Sequence, residues 1–277
     1  MLAEEDEFLF YMKSKIDDHL VMSFDNTDLL LWGTRENSSV RLLRLTLTVG
    51  VKNPRIAIDN PHCLDDRLGK VMKVASLLSH RSKSTFFVIL YPVSGGHRFV
   101  VTDPTDPHNW SKSFEVQETE MPQLVESSFK TNLGNKGTAK AVNKTTSDWF
   151  HDWARANLPK EYVRANVDGL ITNKTQEPRI LLETKRSFYL PFSWSPWQAD
   201  SRNYYLQHIL ATVSGLSFWT IYHRKGVTVD DDTKVALFEI SEVSLKTEHN
   251  WITYDRLNTS ACEILKLTNE RCSEDDH

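Results

Sequence analysis

The sequence predicts an α/β fold in which a mixed β-sheet core is flanked by helices and preceded by a smaller N-terminal α/β module. Three observations predict it. Strand-like apolar runs recur at 40–51, 167–171, 180–185, 216–222 and 234–240, and stretches with three- and four-residue apolar recurrence fall among them. Turn signals punctuate these runs, the strongest being Asp103-Pro104-Thr105-Asp106-Pro107, where two prolines among aspartates favour a break. That break divides the chain into a module over 1–105, to which the sequence assigns no role beyond substrate or partner binding, and a second domain over 106–277.

In the front module, residues 4–18 place Phe8, Leu9, Met12 and Ile16 at helical spacing among acids, which predicts a short amphipathic helix. Residues 29–32 read as a strand. From 40 to 51, Leu43, Leu45, Leu47 and Val49 alternate with Arg44, Thr46 and Thr48, the pattern of a half-buried strand. Leu64, Leu68, Val71, Val74 and Leu78 then mark one face of a helix. Runs at 85–91 and 98–102 flank Ser94-Gly95-Gly96, a hairpin signal.

Beyond the break, Lys130, Lys136, Lys140 and Lys144 follow one another with no intervening acid. They form either a solvated basic face or an edge that contacts phosphate. Trp149, Phe150, Trp153 and Ala154 predict a helix over 148–158, stopped by Pro159. The run 167–171 carries Asp168 at its centre, and a second run at 180–185 ends in Glu183 and Lys185. Side chains two apart in a strand share a face, so Glu183 and Lys185 point one way while Ile180, Leu182 and Thr184 point the other. Pairing the two runs as a hairpin brings two carboxylates and an ammonium together.

Those residue types suit a divalent metal. Mg²⁺ or Mn²⁺ binds through one or two carboxylates and keeps positions for water and a phosphate oxygen. Lys185 would lower the pKa of the attacking water or steady charge on the transition state. The expected reaction is phosphodiester hydrolysis.

The order Asp168-Gly169, apolar run, loop, then Glu183-x-Lys185 resembles the PD-(D/E)xK nuclease superfamily, with Val167 where the family's proline would stand. Tyr204 and Gln207, on a helix expected to end near Gly215, are similar to the Tyr-x-x-Gln helix of the lambda-exonuclease and YqaJ-type recombinase branch, and the strand 216–222 follows as it would there. The likeness covers about 136–242. It implies a restriction-endonuclease-like sheet, a metal held by Asp168 and Glu183 with the Leu182 carbonyl, and Gln207 orienting a water or phosphate. Gln198 competes for that role. The superfamily usually adds an acid from a helix ahead of the sheet. Asp148 and Asp152 are candidates, with Glu161 a third, although each helical acid is equally explained by the helix dipole.

Backbone contacts are expected from Lys136, Lys140, Lys144, Arg186, Tyr204, Arg224 and Lys225, with DNA implied over RNA. The aromatic segment Phe188, Tyr189, Phe192, Trp194 and Trp197 is read either as packing onto the core or as a stacking surface for unpaired bases. Asp230-Asp231-Asp232 reads as a solvated loop. A strand at 234–240 and an amphipathic helix at 254–267 finish the chain.

Composition narrows the classes. With 277 residues, 40% hydrophobic and 25% charged, the chain is an ordinary globular protein long enough for a sizeable core. No apolar run is long enough to span a bilayer, and the acidic amino terminus lacks the features of a secretory signal. Three cysteines, Cys63, Cys262 and Cys272, are too widely spaced for a zinc pair and suit a reducing intracellular compartment, cytoplasm or nucleus. A net charge of −4 leaves phosphate binding to local basic surfaces. Two other readings follow from the same residues: a non-catalytic nucleic-acid-binding or scaffold domain, and a sequence-specific endonuclease.

Overall fold

The computed structural model describes residues 6–22, 27–36, 39–59, 66–92, 98–102, 112–117, 119–124, 153–154, 156–157, 162–245 and 250–273. It is a mixed α/β structure with two mixed sheets. The chain forms two compact units, one comprising residues 1–4 and 23–166, the other residues 5–22 and 167–277. This differs from a single division near residue 105. Strands on either side of the proline-aspartate stretch pair with each other, Phe99 opposite Val116, so that stretch connects neighbouring strands of one sheet.

The middle of the chain builds the first unit, with β1 Leu20–Met22 belonging to the second. Its strands are β2 Thr27–Glu36, β3 Ser39–Val51, β4 Thr85–Pro92, β5 Arg98–Thr102, β6 Ser113–Gln117 and β7 Tyr162–Val167, in the order β6-β5-β4-β3-β2-β7. β3 and β4 run parallel, which needs a crossover, and α3 Asp66–Ser82 supplies it. The short helix α2 Pro54–Asp59 precedes it, begun by the Asn53 side chain, which accepts from the Arg55 N–H at 3.0 Å. β3 was expected to face water on one side. Instead Thr46 and Thr48 are buried along with Leu45, Leu47 and Val49, so both faces of the strand are covered. Trp153 and Ala154, from the expected helix at 148–158, are buried in a cluster with Leu30, Trp32, Ile89, Tyr91, Val116 and Met121.

The second unit combines both ends of the chain. Its elements are α1 Glu7–Ile16, β1, β8 Gly169–Thr172, β9 Pro178–Ser187, α4 Ser201–Ser214, β10 Ser217–Arg224, β11 Lys234–Leu245, β12 Asn250–Ser260 and α5 Ala261–Ser273. The sheet order is β1-β8-β9-β10-β11-β12, with β9 and β10 parallel and all other neighbours antiparallel. α4 is the crossover between the parallel pair. It ends at Gly215, whose φ of 69° gives the left-handed turn that closes a helix, with the Gly215 N–H bonded to the Thr212 carbonyl.

Strand alternation sorts this core into two layers. Ile180 and Leu182 of β9, with Trp219 and Ile221 of β10, join Phe8, Leu9, Met12 and Ile16 of α1 and Ile264 of α5. The intervening residues face α4, as the Tyr204 and Phe218 rings do at 6.1 Å. Two expectations change here. Residues 254–260 are strand, paired with β11 from Tyr254 opposite Ile240 to Ser260 opposite Lys234, and helix begins only at Ala261. The sequence predicts Tyr205, Ile209, Leu210 and Val213 as the core face of α4, but the buried face carries Tyr204, Leu206, Gln207, Leu210 and Ala211 while Val213 is exposed, because the helix turns Gln207 inward to meet a buried carboxylate.

Candidate active site

The site lies on β9, where it passes between β8 and β10. Glu183 and Lys185 share the face toward α4. The Lys185 Nζ lies 2.5 Å from Glu183 Oε1, and the Gln207 Nε2 donates to Glu183 Oε2 at 2.7 Å. Both oxygens of a carboxylate that is 5% exposed are therefore engaged, as a buried charge requires. Asp200, in the 3-10 turn Gln198–Asp200 that leads into α4, places Oδ2 at 3.9 Å from the same ammonium. The Tyr204 ring centroid is 5.8 Å from it.

Burial alone would depress the Lys185 ammonium. The neighbouring charge of Glu183 leads a set of effects that outweigh it, and the group is held above its ordinary range. Burial pushes the Tyr204 phenol up as well.

Asp168 was expected inside a strand. It sits instead between β7 and β8, and its Oδ2 reaches across to β9, accepting from the Thr184 N–H at 2.8 Å and the Thr184 hydroxyl at 3.2 Å. Burial, reinforced by the nearby Glu183 charge, drives its carboxyl well above the usual carboxylate range. Lys185 and the Thr184 N–H oppose this and Asp6 adds to it.

Asp6 is one of the residues that sequence reasoning missed. It begins α1, its Oδ1 accepting from the Phe8 and Leu9 N–H groups at 3.0 and 2.9 Å, while Oδ2 lies 3.2 Å from the His223 Nε2. Burial works against its ionised form. The bond to His223, that ring's charge and the Leu9 N–H overcome this and hold it below the usual range. His223, on β10 opposite Arg186, is fully buried, with Phe8 stacked at 6.1 Å. Glu7 pairs with Arg186 at 2.8 Å. The available signal was an aspartate followed by the run Phe8-Leu9, the pattern of a helix start. The contacts to His223 and Arg186, more than 170 residues distant, left no local trace.

Glu183, Lys185 and Gln207 thus come together, while Asp168 bonds to the intervening Thr184 and lies near enough to feel the charges of Glu183 and Lys185. Gln198 is exposed and Gln207 holds the carboxylate. Leu182 lies in the sheet between Gly169 and Trp219, its side chain in the core. Tyr204 is 1% exposed and supports Lys185 from within, so it offers no surface for a ligand. Arg186 is half-buried against Glu7. Arg224 is exposed, and Lys225 Nζ stands 6.0 Å over the Phe188 ring. Lys136, Lys140, Lys144, Asp148, Asp152 and Glu161 lie outside the described residues.

Among the described residues no three acid, histidine or cysteine side chains gather closely enough to hold a metal ion unaided. The donors present still fit Mg²⁺ or Mn²⁺, because such ions take one or two carboxylates and complete their shell with water. Two carboxylates close enough to feel each other's charge also suit a divalent cation, which offsets both. Among the described residues no helix is long and apolar enough to cross a membrane.

No protein-family model matches this chain, and no curated protein sequence matches it. Comparison with solved structures gives the sex pheromone staph-cAM373 precursor, 8% identical over 90% of this chain and 89% of that one, with a TM-score of 0.17. A likeness at that level carries no argument about fold or function.

Proposed function

We propose that this chain is a metal-dependent nuclease with a restriction-endonuclease-like core, hydrolysing phosphodiester bonds in DNA. One observation carries the reading: Glu183 is held between Lys185 and Gln207, and the Asp168 carboxylate reaches the next residue of the same strand, Thr184. Asp168 and Glu183, with the Leu182 carbonyl, would hold Mg²⁺ or Mn²⁺, which supplies Lewis-acid stabilisation and a nucleophilic water when bound. Lys185, kept as an ammonium, stabilises charge on the phosphate and does not act as a base. Gln207 orients Glu183. Asp6 and Glu7, at the start of α1, are engaged by His223 and Arg186, so Asp148 and Asp152 remain the candidates for the acid that the superfamily carries on a helix ahead of its sheet.

The alternative is a non-catalytic nucleic-acid-binding or scaffold domain. It is favoured by the same geometry, because Lys185 and Gln207 already satisfy both Glu183 oxygens. Hydrolysis of labelled linear, circular and single-stranded DNA, and of RNA, decides between the two, measured with Mg²⁺, Mn²⁺ or chelator. The nuclease reading expects metal-dependent cleavage that falls by about 100-fold or more in Lys185→Ala, the scale of losing one transition-state charge stabiliser, and is lost in Glu183→Ala. Folded wild type that cleaves none of these substrates supports the binding domain.

A further inference from the structure

We infer that residues 188–200 form a stacking platform for the unpaired bases of a single-stranded nucleic acid, delivering that strand to the carboxylate and lysine site. The inference rests on the proposed nuclease reading and specifies its substrate as a single-stranded or frayed end. The segment begins three residues after Lys185 and ends at Asp200, whose carboxylate is 3.9 Å from the Lys185 ammonium, so the loop leaves the strand that carries the site and returns to the site.

Four of the five aromatic side chains here do not pack onto the core. Phe188, Tyr189, Phe192 and Trp197 are 74%, 65%, 64% and 50% exposed. Large exposed aromatic surface on a soluble protein marks a binding surface.

The loop that presents them is held in place from beneath. Trp194 is buried and stacks on the Tyr222 ring at 4.5 Å and 10°. The Tyr222 hydroxyl donates to the Tyr189 carbonyl at 2.9 Å and lies 2.6 Å from the Ser187 hydroxyl. Arg256 donates to the Pro191 carbonyl at 2.9 Å. A loop fixed at Tyr189, Pro191 and Trp194 that still turns its other rings outward has their exposure built in. The backbone of the loop is therefore fixed before a ligand arrives, which removes that part of the entropy cost of binding.

Charge identifies the occupant. Arg224, exposed at the end of β10, is opposite Ser187, and the Lys225 N–H donates to the Ser187 carbonyl at 2.8 Å with its ammonium over Phe188. Cations set among exposed aromatic faces complement a strand that alternates phosphates with flat bases. An intact duplex hides those base faces.

The test is fluorescence anisotropy of a labelled single-stranded oligonucleotide and of its duplex, in chelator so that no hydrolysis intervenes, with sedimentation of the protein alone. Tight single-strand binding is expected, weakened about 5- to 150-fold in Phe192→Ala and in Trp197→Ala, the range corresponding to about 1–3 kcal/mol for one stacked base. Arg224→Ala is expected to reduce the salt dependence. These side chains are exposed, so unchanged thermal unfolding will verify that each variant folds. Equal binding of both nucleic acids with no effect of the aromatic variants overturns the inference while leaving the nuclease reading intact. So does a dimer that Phe192→Ala dissociates, which would make a second copy the occupant. Aromatic-dependent strand binding without hydrolysis under any metal condition upholds the platform and removes the nuclease.

Discussion

Replacing Gln207 by leucine tests whether the amide is there to hold Glu183. The Gln207 Nε2 meets Glu183 Oε2 at 2.7 Å in a position closed to solvent, so no water can substitute for it. Leucine has a similar volume and no donor. A hydrogen bond to a buried charge is worth about 1.5–3 kcal/mol, and at roughly 2–4 °C per kcal/mol for a domain of this size that is a fall of about 3–12 °C in Tm. The assay is thermal unfolding followed by circular dichroism in chelator, for wild type, Gln207→Leu, Glu183→Gln and the double variant. Because the cost comes from a stranded charge, Gln207→Leu should be milder in the Glu183→Gln background, with a coupling of about 1 kcal/mol or more. A Tm unchanged by Gln207→Leu, or an equal loss in both backgrounds, refutes the reasoning.

Three further outcomes follow from the geometry. Asp168→Asn keeps an acceptor for the Thr184 N–H and hydroxyl while removing a charge that the folded state disfavours. Since the folded pKa is raised, wild-type stability should decline as pH climbs from the unfolded carboxylate value of about 3.9 through the folded one, and Asp168→Asn in chelator should lack that decline. Asp6 has the opposite sign: its folded pKa is lowered, so its contribution is present above the unfolded pKa and is lost as pH falls through the folded value. Asp6→Ala should cost about 1 kcal/mol or more through the lost helix cap, with the gap to wild type narrowing in acid on denaturant titration. Gly215→Ala meets no atom within 4 Å and suffers only from its φ of 69°, so a loss of about 1 kcal/mol is expected from the same titration.

What the sequence revealed of this site is what repeats locally. Alternation put Glu183 and Lys185 on one face, and three-residue spacing aligned Tyr204 with Gln207, because both depend only on strand and helix periods. Residues 254–260 resist that approach. Tyr254, Leu257 and Ile264 suit a helical stripe, yet pairing with β11 takes the first seven residues of that stretch into the sheet. The assembly of the second unit from both chain ends was also illegible. Nothing in the composition marks where the chain leaves at Met22 or returns at Val167, whereas the conspicuous prolines at 104 and 107 lie within the other unit. Asp6 and His223 meet across 217 residues, a contact that only the folded sheet and α1 create.

Calorimetric titration of the chelator-treated protein with Mn²⁺ tests the central claim most directly, using wild type, Asp168→Asn and Glu183→Gln. The account predicts binding by wild type and loss of that binding in both variants. Absence of Mn²⁺ binding by folded wild type, or binding that survives both substitutions, would contradict a metal site at Asp168 and Glu183.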